Sequence, residues 1–257
     1  MENANQNVLA RLHLGAILPL LEDIAAFEQQ VREAVKDWNV TLQFQLSGGD
    51  PATALTFKQG VVKAFPGGVK GPKVTLTFKD ARFLNEVFQG QSKKSPRPGL
   101  LGLFHLKKLL ALDKVLGRLE YYLRPSEELL QNPETFAFCV HLNLYALAFG
   151  VKIVGEHDPE MEPVVDHLPD GVLEVRIVDG PAAHVGVRQG QLFAGRGPAE
   201  KANAILEFAD LDTAWALLQG RLDIYAAVGG ERISIRGNVP LLDGINPLLD
   251  RLSMYLA

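Results

Sequence analysis

The side chains that could do chemistry are few and scattered. Six histidines, one cysteine and one acidic run are the material for any catalytic or metal site. The run GEHDPEMEPVVDHLPDG, from Gly155 to Gly171, holds His157, Asp158, Glu160, Glu162, Asp166 and His167. Two imidazoles among carboxylates are ligands a divalent cation accepts. The prolines and the even spread of charge instead mark a solvated connector ahead of a strand. Cys139 lies in an apolar segment, where a thiol behaves as a small buried hydrophobe. His13, His105, His141 and His184 stand singly on apolar or mixed segments, and structural roles are expected for them. There is no G-x-S-x-G elbow, no H-E-x-x-H helix, no phosphate loop and no dinucleotide glycine pattern. Gly195-Arg196-Gly197 is only a pair of glycines in a turn. No catalytic set, cofactor or metal is implied, so an enzyme is not expected.

Composition narrows the remaining classes. Apolar residues make up 47% of the 257 positions and charged residues 22%, a balance that supports a buried core and excludes a disordered chain. A net charge of −4 argues against a dedicated nucleic-acid binder, which needs a basic surface. One cysteine rules out an intrachain disulfide framework, and a reducing, cytoplasmic setting is the default. The N-terminus shows no charged region followed by an apolar run, so no secretory signal is expected. One segment, Thr135–Val154, is apolar over about the length that spans a bilayer. It carries His141, Asn143 and Lys152, which are costly at bilayer depth. A buried helix is the expectation, with its end open to continuing as a strand.

The most informative feature is an internal repeat. A shift of 130 positions lays Lys58-Gln59-Gly60 on Arg188-Gln189-Gly190. It also lays VTLTFKDARFLNEVFQG (Val74–Gly90) on AILEFADLDTAWALLQG (Ala204–Gly220), with Leu76, Phe78, Asp80, Gln89 and Gly90 matched. Three further residues of offset place Arg118-Leu119 and Tyr122-Leu123 on Arg251-Leu252 and Tyr255-Leu256. Two homologous domains are expected, 1–130 and 131–257.

Periodicity gives their elements. Leu42, Phe44 and Leu46 alternate with polar neighbours, as do Leu173, Val175 and Ile177, the pattern of half-buried strands. Gln59-Gly60 and Gln189-Gly190 suit tight hairpins. Val74, Leu76 and Phe78 form a further strand, and Asp80 can cap the helix that follows it. That helix carries Phe83, Leu84, Val87 and Phe88 and stops at Gly90; Asp210 and Gly220 bound its counterpart. Ile233 and Ile235 make another strand, and Leu248, Leu249, Leu252 and Tyr255 a last amphipathic helix. The fold class is α+β, each domain a small mixed β-sheet with helices packed on one face.

In this arrangement the second half resembles the sterol carrier protein type 2 family of sterol-binding domains. The residues that carry the resemblance are LEVRIVDGPAA (Leu173–Ala183), EKANAILEFADLDTAWALLQGR (Glu200–Arg221) and GGERISIRGNVPLL (Gly229–Leu242), in the family's order over residues 171–256. The first half diverges. Pro96-Arg97-Pro98-Gly99 falls where a regular strand is expected, and proline donates no ladder hydrogen bond. Its last strand should be degraded, leaving a shortened sheet or an apolar loop across the opening. The resemblance implies a tandem, non-catalytic binder of a sterol, fatty acid or acyl ester, held in an apolar tunnel between helices and sheet.

The implied lining is Phe208, Trp215, Leu218, Ile233, Leu248 and Leu252 in the second domain, and Phe57, Phe78, Phe83, Val87, Phe88 and Leu119 in the first. The same residues could instead pack a dry core. Burying a sixteen-carbon chain at about 0.8 kcal/mol per methylene makes roughly 12 kcal/mol available. After association costs of several kcal/mol, an apolar slot alone reaches micromolar affinity or better. Charge is uneven: residues 1–130 carry 17 Lys+Arg against 13 Asp+Glu. The basic excess gathers at Lys70, Lys73, Lys79, Arg82, Lys93, Lys94, Arg97, Lys107 and Lys108. Beside the apolar run Leu100–Phe104 it could touch anionic lipid headgroups; a solvated or domain-facing surface is the alternative. The alternative function is an interaction or scaffold protein that keeps the fold without a ligand cavity. Oligomeric state is not legible.

Overall fold

The computed structural model describes residues 2–92, 94, 96–98, 106–222 and 224–256. It contains two compact units, Met1–Arg124 and Pro125–Ala257. Helix α6 (Glu127–Leu130), capped by the Ser126 side chain, packs on the long helix after it and so goes with the second unit.

The first unit opens with α1 (Glu2–Leu12), one π-helical turn (His13–Ile17), one 3-10 turn (Leu18–Leu20), α2 (Leu21–Phe27) and α3 (Gln29–Val35). Pro19 accounts for the irregular turns: it lacks an N–H and its ring crowds the carbonyl four residues back. The ladder therefore widens, with the Leu18 N–H donating to the His13 carbonyl five residues earlier. Strands β1 (Asn39–Leu46), β2 (Ala52–Lys58), β3 (Val61–Pro66) and β4 (Val74–Phe78) follow, then α4 (Ala81–Phe88), β5 (Arg97–Pro98) and α5 (Leu106–Leu123). The sheet order is β3-β2-β1-β4-β5, with only the β1–β4 pair parallel.

The second unit repeats this plan. One unbroken helix, α7 (Pro133–His157), takes the place of α1 through α2. A shift of 130 puts Phe149 where Pro19 stands, so nothing interrupts its ladder. The segment expected as a buried helix, its end open to continuing as a strand, is helical throughout, to His157. It is long and apolar enough to cross a membrane, and 61% of its most apolar window is buried inside the protein. Then come α8 (Glu162–Val165), β6 (Gly171–Ile177), β7 (Ala182–Arg188), β8 (Gln191–Arg196), β9 (Ala204–Phe208), α9 (Leu211–Leu218), α10 (Ile224–Gly229), β10 (Ile233–Gly237) and α11 (Val239–Leu256). The order β8-β7-β6-β9-β10 matches that of the first sheet strand for strand.

Local chemistry agrees in both halves. Gln59 and Gly60 have φ of 52° and 80°, and Gln189 and Gly190 have 54° and 74°. Two successive positive φ values make the hairpin turn whose twist suits antiparallel strands. The Asp80 carboxylate accepts from the Phe83 N–H at 2.8 Å and Asp210 from the Thr213 N–H at 2.7 Å, each closing a helix N-terminus. β5 has two residues where β10 has five, as Pro96 and Pro98 require. The run Leu100–Phe104, His105 and Lys93 lie outside the described residues, as do the side chains of Lys107 and Lys108.

Candidate ligand-binding site

Strand parity separates the two faces of the second sheet. On one face Arg176 bridges Glu174 at 3.1 Å and Glu207 at 2.6 Å, and Arg236 reaches Glu207 at 2.6 Å. The other face carries Leu173, Val175 and Ile177 on β6, Ala204, Leu206 and Phe208 on β9, and Ile233 and Ile235 on β10; α11 packs against β6 and β9. The ends of this apolar face are closed, with Leu173 and Ile233 2% exposed and Phe208 3%. Its middle row is not. Val175, Leu206 and Ile235 are direct cross-strand partners; Leu206 is buried at 8%, while Val175 and Ile235 on either side of it remain partly exposed. Three strands at about 4.8 Å spacing make this apolar strip roughly 10 Å wide.

The sequence-expected lining divides around that strip. Ile233 and Phe208 pair directly beside it. Trp215 on α9 is buried, its ring meeting Phe136 of α7 edge-on at 6.1 Å, and Leu218 is partly exposed. Leu252 does something else: it packs into a glycine hollow on α7, where a methyl group at Gly150 would stand 2.7 Å from Leu252 Cδ2. Leu248 lies beside Gly155, whose own hollow is filled by Leu192. Sequence reasoning passed over Val175, Leu206 and Ile235 as site residues, although their alternation on neighbouring strands was the signal that could have found them.

In the first unit Phe78, Phe83 and Phe88 do come together, with ring centroids 5.9 Å and 6.2 Å from Phe78. Phe57 does not join them. It lies at the level of Val40, against Trp38 at 5.0 Å, whereas Phe78 lies at the level of Leu46. Six residues of strand separate those levels by about 20 Å, near the length of a sixteen-carbon chain. Leu119 is buried on α5, and Val87 is partly exposed. The row equivalent to the open strip, Phe44 and Leu76, is buried at 1% and 5%.

Each unit fastens its last helix with the same polar group. Glu28 has φ −93° and ψ 113°, and Asp158, 130 positions on, has −91° and 114°; each stands just past the end of a helix. Arg118 of α5 donates to Glu28 at 2.8 Å, and the Tyr122 hydroxyl donates to Glu28 at 3.2 Å. Arg251 of α11 donates to Asp158 at 2.5 Å, and the Tyr255 hydroxyl donates to Asp158 at 2.7 Å. Asp158, expected in a solvated connector, is therefore a buried ion partner. Burial works to raise its pKa, but the bonds from Arg251, Tyr255 and the Glu160 N–H outweigh it and hold the carboxyl below its ordinary value. Burial, then the hydrogen bond to Asp158, pushes the Tyr255 hydroxyl up to about 12. The thiol of Cys139 is buried and pushed up to about 11. Among the described residues no cluster of three His, Cys, Asp or Glu side chains could hold a metal.

No protein-family model and no curated protein matches the chain. The solved structures that match are mostly sterol carrier protein 2 domains. The chain is similar to the sterol carrier protein domain 2 of Helicoverpa armigera at 17% identity and TM-score 0.35, over 47% of this chain and 91% of that one. It is similar to sterol carrier protein 2 of Yarrowia lipolytica at 13% and 0.31, over 39% and 92%. A third is a UbiJ-SCP2 ubiquinone synthesis protein at 12% and 0.32, over 40% and 88%.

Proposed function

We propose that this chain is a non-catalytic, cytoplasmic binder or carrier of a lipid or similar apolar ligand, held between the helices and the apolar face of the sheet. The observation that carries this reading is the pair Val175 and Ile235, apolar and partly exposed on either side of buried Leu206, on the side of the sheet where helices pack. Core packing normally closes such a row completely, and a ligand that fills it gains the transfer free energy of its buried methylenes. The test is mass spectrometry under denaturing conditions on chain purified without detergent, followed by fluorescent fatty-acid uptake after delipidation. Co-purifying lipid and saturable uptake support the reading; neither lipid nor uptake overturns it. Val175→Trp, which fills the strip, should abolish uptake by the second unit.

A second reading, an interaction protein without a cavity, is favoured only by the first unit, whose equivalent row is buried. Light scattering would show partner-dependent or self-association under that reading. Lys70, Lys73, Lys79 and Arg82 are exposed on the first unit and belong to a proposed contact with anionic membranes. Sedimentation with anionic liposomes at low salt supports that contact, and no dependence on lipid charge removes it.

A further inference from the structure

The helix seam of the first unit holds a polar feature that a purely apolar slot does not need. Among the described residues, two buried side-chain polar atoms lack a hydrogen-bond partner: His13 Nε2 and Asn85 Oδ1. Both belong to the seam between α1 with its π-helical turn and α4. Asn85 Nδ2 donates to the Gln6 carbonyl at 2.9 Å and to Gln6 Oε1 at 2.7 Å, which leaves its oxygen unused. The His13 ring stacks on Phe88 at 5.1 Å, and Phe88 in turn meets Phe78, so the imidazole sits in the ring cluster of the candidate site. Around it Leu9, Ile17, Val87 and Phe88 remain partly exposed.

An orphaned buried polar atom is costly, and a native structure tolerates one where something else satisfies it. Burial, with a smaller contribution from Arg124, draws the His13 pKa down to about 4, so the ring is neutral at pH 7. A neutral imidazole offers one donor and one acceptor, and an amide oxygen only accepts. A hydroxyl is the smallest group able to serve either atom. A carboxylate, which only accepts, gives Asn85 Oδ1 nothing.

The second unit supplies the contrast. The shift of 130 places Phe136 on Gln6 and Trp215 on Asn85, and those two rings meet edge-on at 6.1 Å. Asn143 stands for His13 and donates back to the Cys139 carbonyl of its own helix at 2.9 Å. The same seam is polar and unsatisfied in one unit, aromatic and satisfied in the other.

We infer that the first unit selects an uncharged, hydroxyl-bearing single-chain lipid, whose one O–H donates to Asn85 Oδ1 while its oxygen accepts from His13 Nε2–H, and that the second unit takes the chain regardless of headgroup. This rests on the lipid-binding reading above. The probes are 1-hexadecanol and palmitate, titrated into the delipidated full chain. Side-chain nitrogen NMR follows the His13 ring, assigned by its loss in His13→Phe, a variant that keeps the stack on Phe88. Hexadecanol should move the His13 Nε2 resonance and palmitate should not. His13→Phe and Asn85→Leu should each weaken one class of hexadecanol site about tenfold and leave palmitate binding unchanged. Hexadecanol binding with an unmoved resonance, or equal affinity in His13→Phe, overturns the inference and leaves the lipid-binding reading standing. Binding of neither probe overturns both.

Discussion

Replacing Asp158 with asparagine is the sharpest probe of how the second unit holds its last helix. The carboxylate is 1% exposed on its side chain and accepts from Arg251, from the Tyr255 hydroxyl and from the Glu160 N–H. Asparagine keeps the size and removes the charge, stranding an Arg251 side chain that is 11% exposed. Breaking one partner of a buried ion pair costs about 3–5 kcal/mol. Arg251 keeps Glu160 at 2.9 Å, a carboxylate 55% exposed, so the lower end, about 3 kcal/mol, is expected. For a unit of this size that is a fall in Tm of about 10 °C, read by calorimetry on the full chain. Replacing both partners, as Asp158→Leu with Arg251→Met, should cost less than Asp158→Asn alone, because no unpaired charge is left. The pH dependence has a fixed sign. The native carboxyl titrates below its unfolded value, near 3.9, so its contribution is complete above that value and is lost as pH falls through the native one. Wild type and Asp158→Asn should therefore differ by a constant amount from about pH 8 to 5 and converge below about pH 4. A loss under about 1 kcal/mol, or a double variant worse than the single, would refute the reasoning.

Gly237→Ala would place a methyl 2.1 Å from the Asn203 carbonyl oxygen at a φ of 89°, so a loss above about 2 kcal/mol is expected in urea unfolding. Val175→Trp should cut lipid uptake by the second unit at least tenfold while far-ultraviolet circular dichroism is unchanged; undiminished uptake removes the strip from the site. Cys139, buried with its thiol pushed up to about 11, should react with a disulfide reagent at pH 8 only as fast as the chain opens, so urea should accelerate labelling steeply. Asp210→Ala should lower stability by about 1 kcal/mol through loss of the bond to the Thr213 N–H.

The repeat was legible where both copies kept the same residue for the same backbone reason. Gln-Gly at the hairpins and Asp at the helix starts are dictated by local geometry, so they survived in both halves. The repeat in fact reaches back to Glu28 and Asp158, which keep a carboxylate on side chains of different length, and to Gln6 and Phe136, which differ in chemistry; there the backbone angles and neighbours reveal the match. Pro19 disguised the correspondence further by breaking one helix into turns that its counterpart lacks. The site was legible in part. Alternation marked which strand residues face the helices, but burial along a strand is set by what packs above it. That is why the partly exposed pair Val175 and Ile235 and the glycine hollow that holds Leu252 went unread. Phe57 and Phe78 were expected in one lining, but strand pattern carries no information on their distance along the sheet.

The most direct test is an equilibrium titration of the delipidated chain with a fluorescent sixteen-carbon fatty acid, reversed by unlabelled palmitate. A slot of the kind described here predicts saturation at one or two equivalents per chain with a Kd of about a micromolar or tighter. A signal that rises without saturating, or that palmitate fails to displace, would mean the apolar strip holds no ligand.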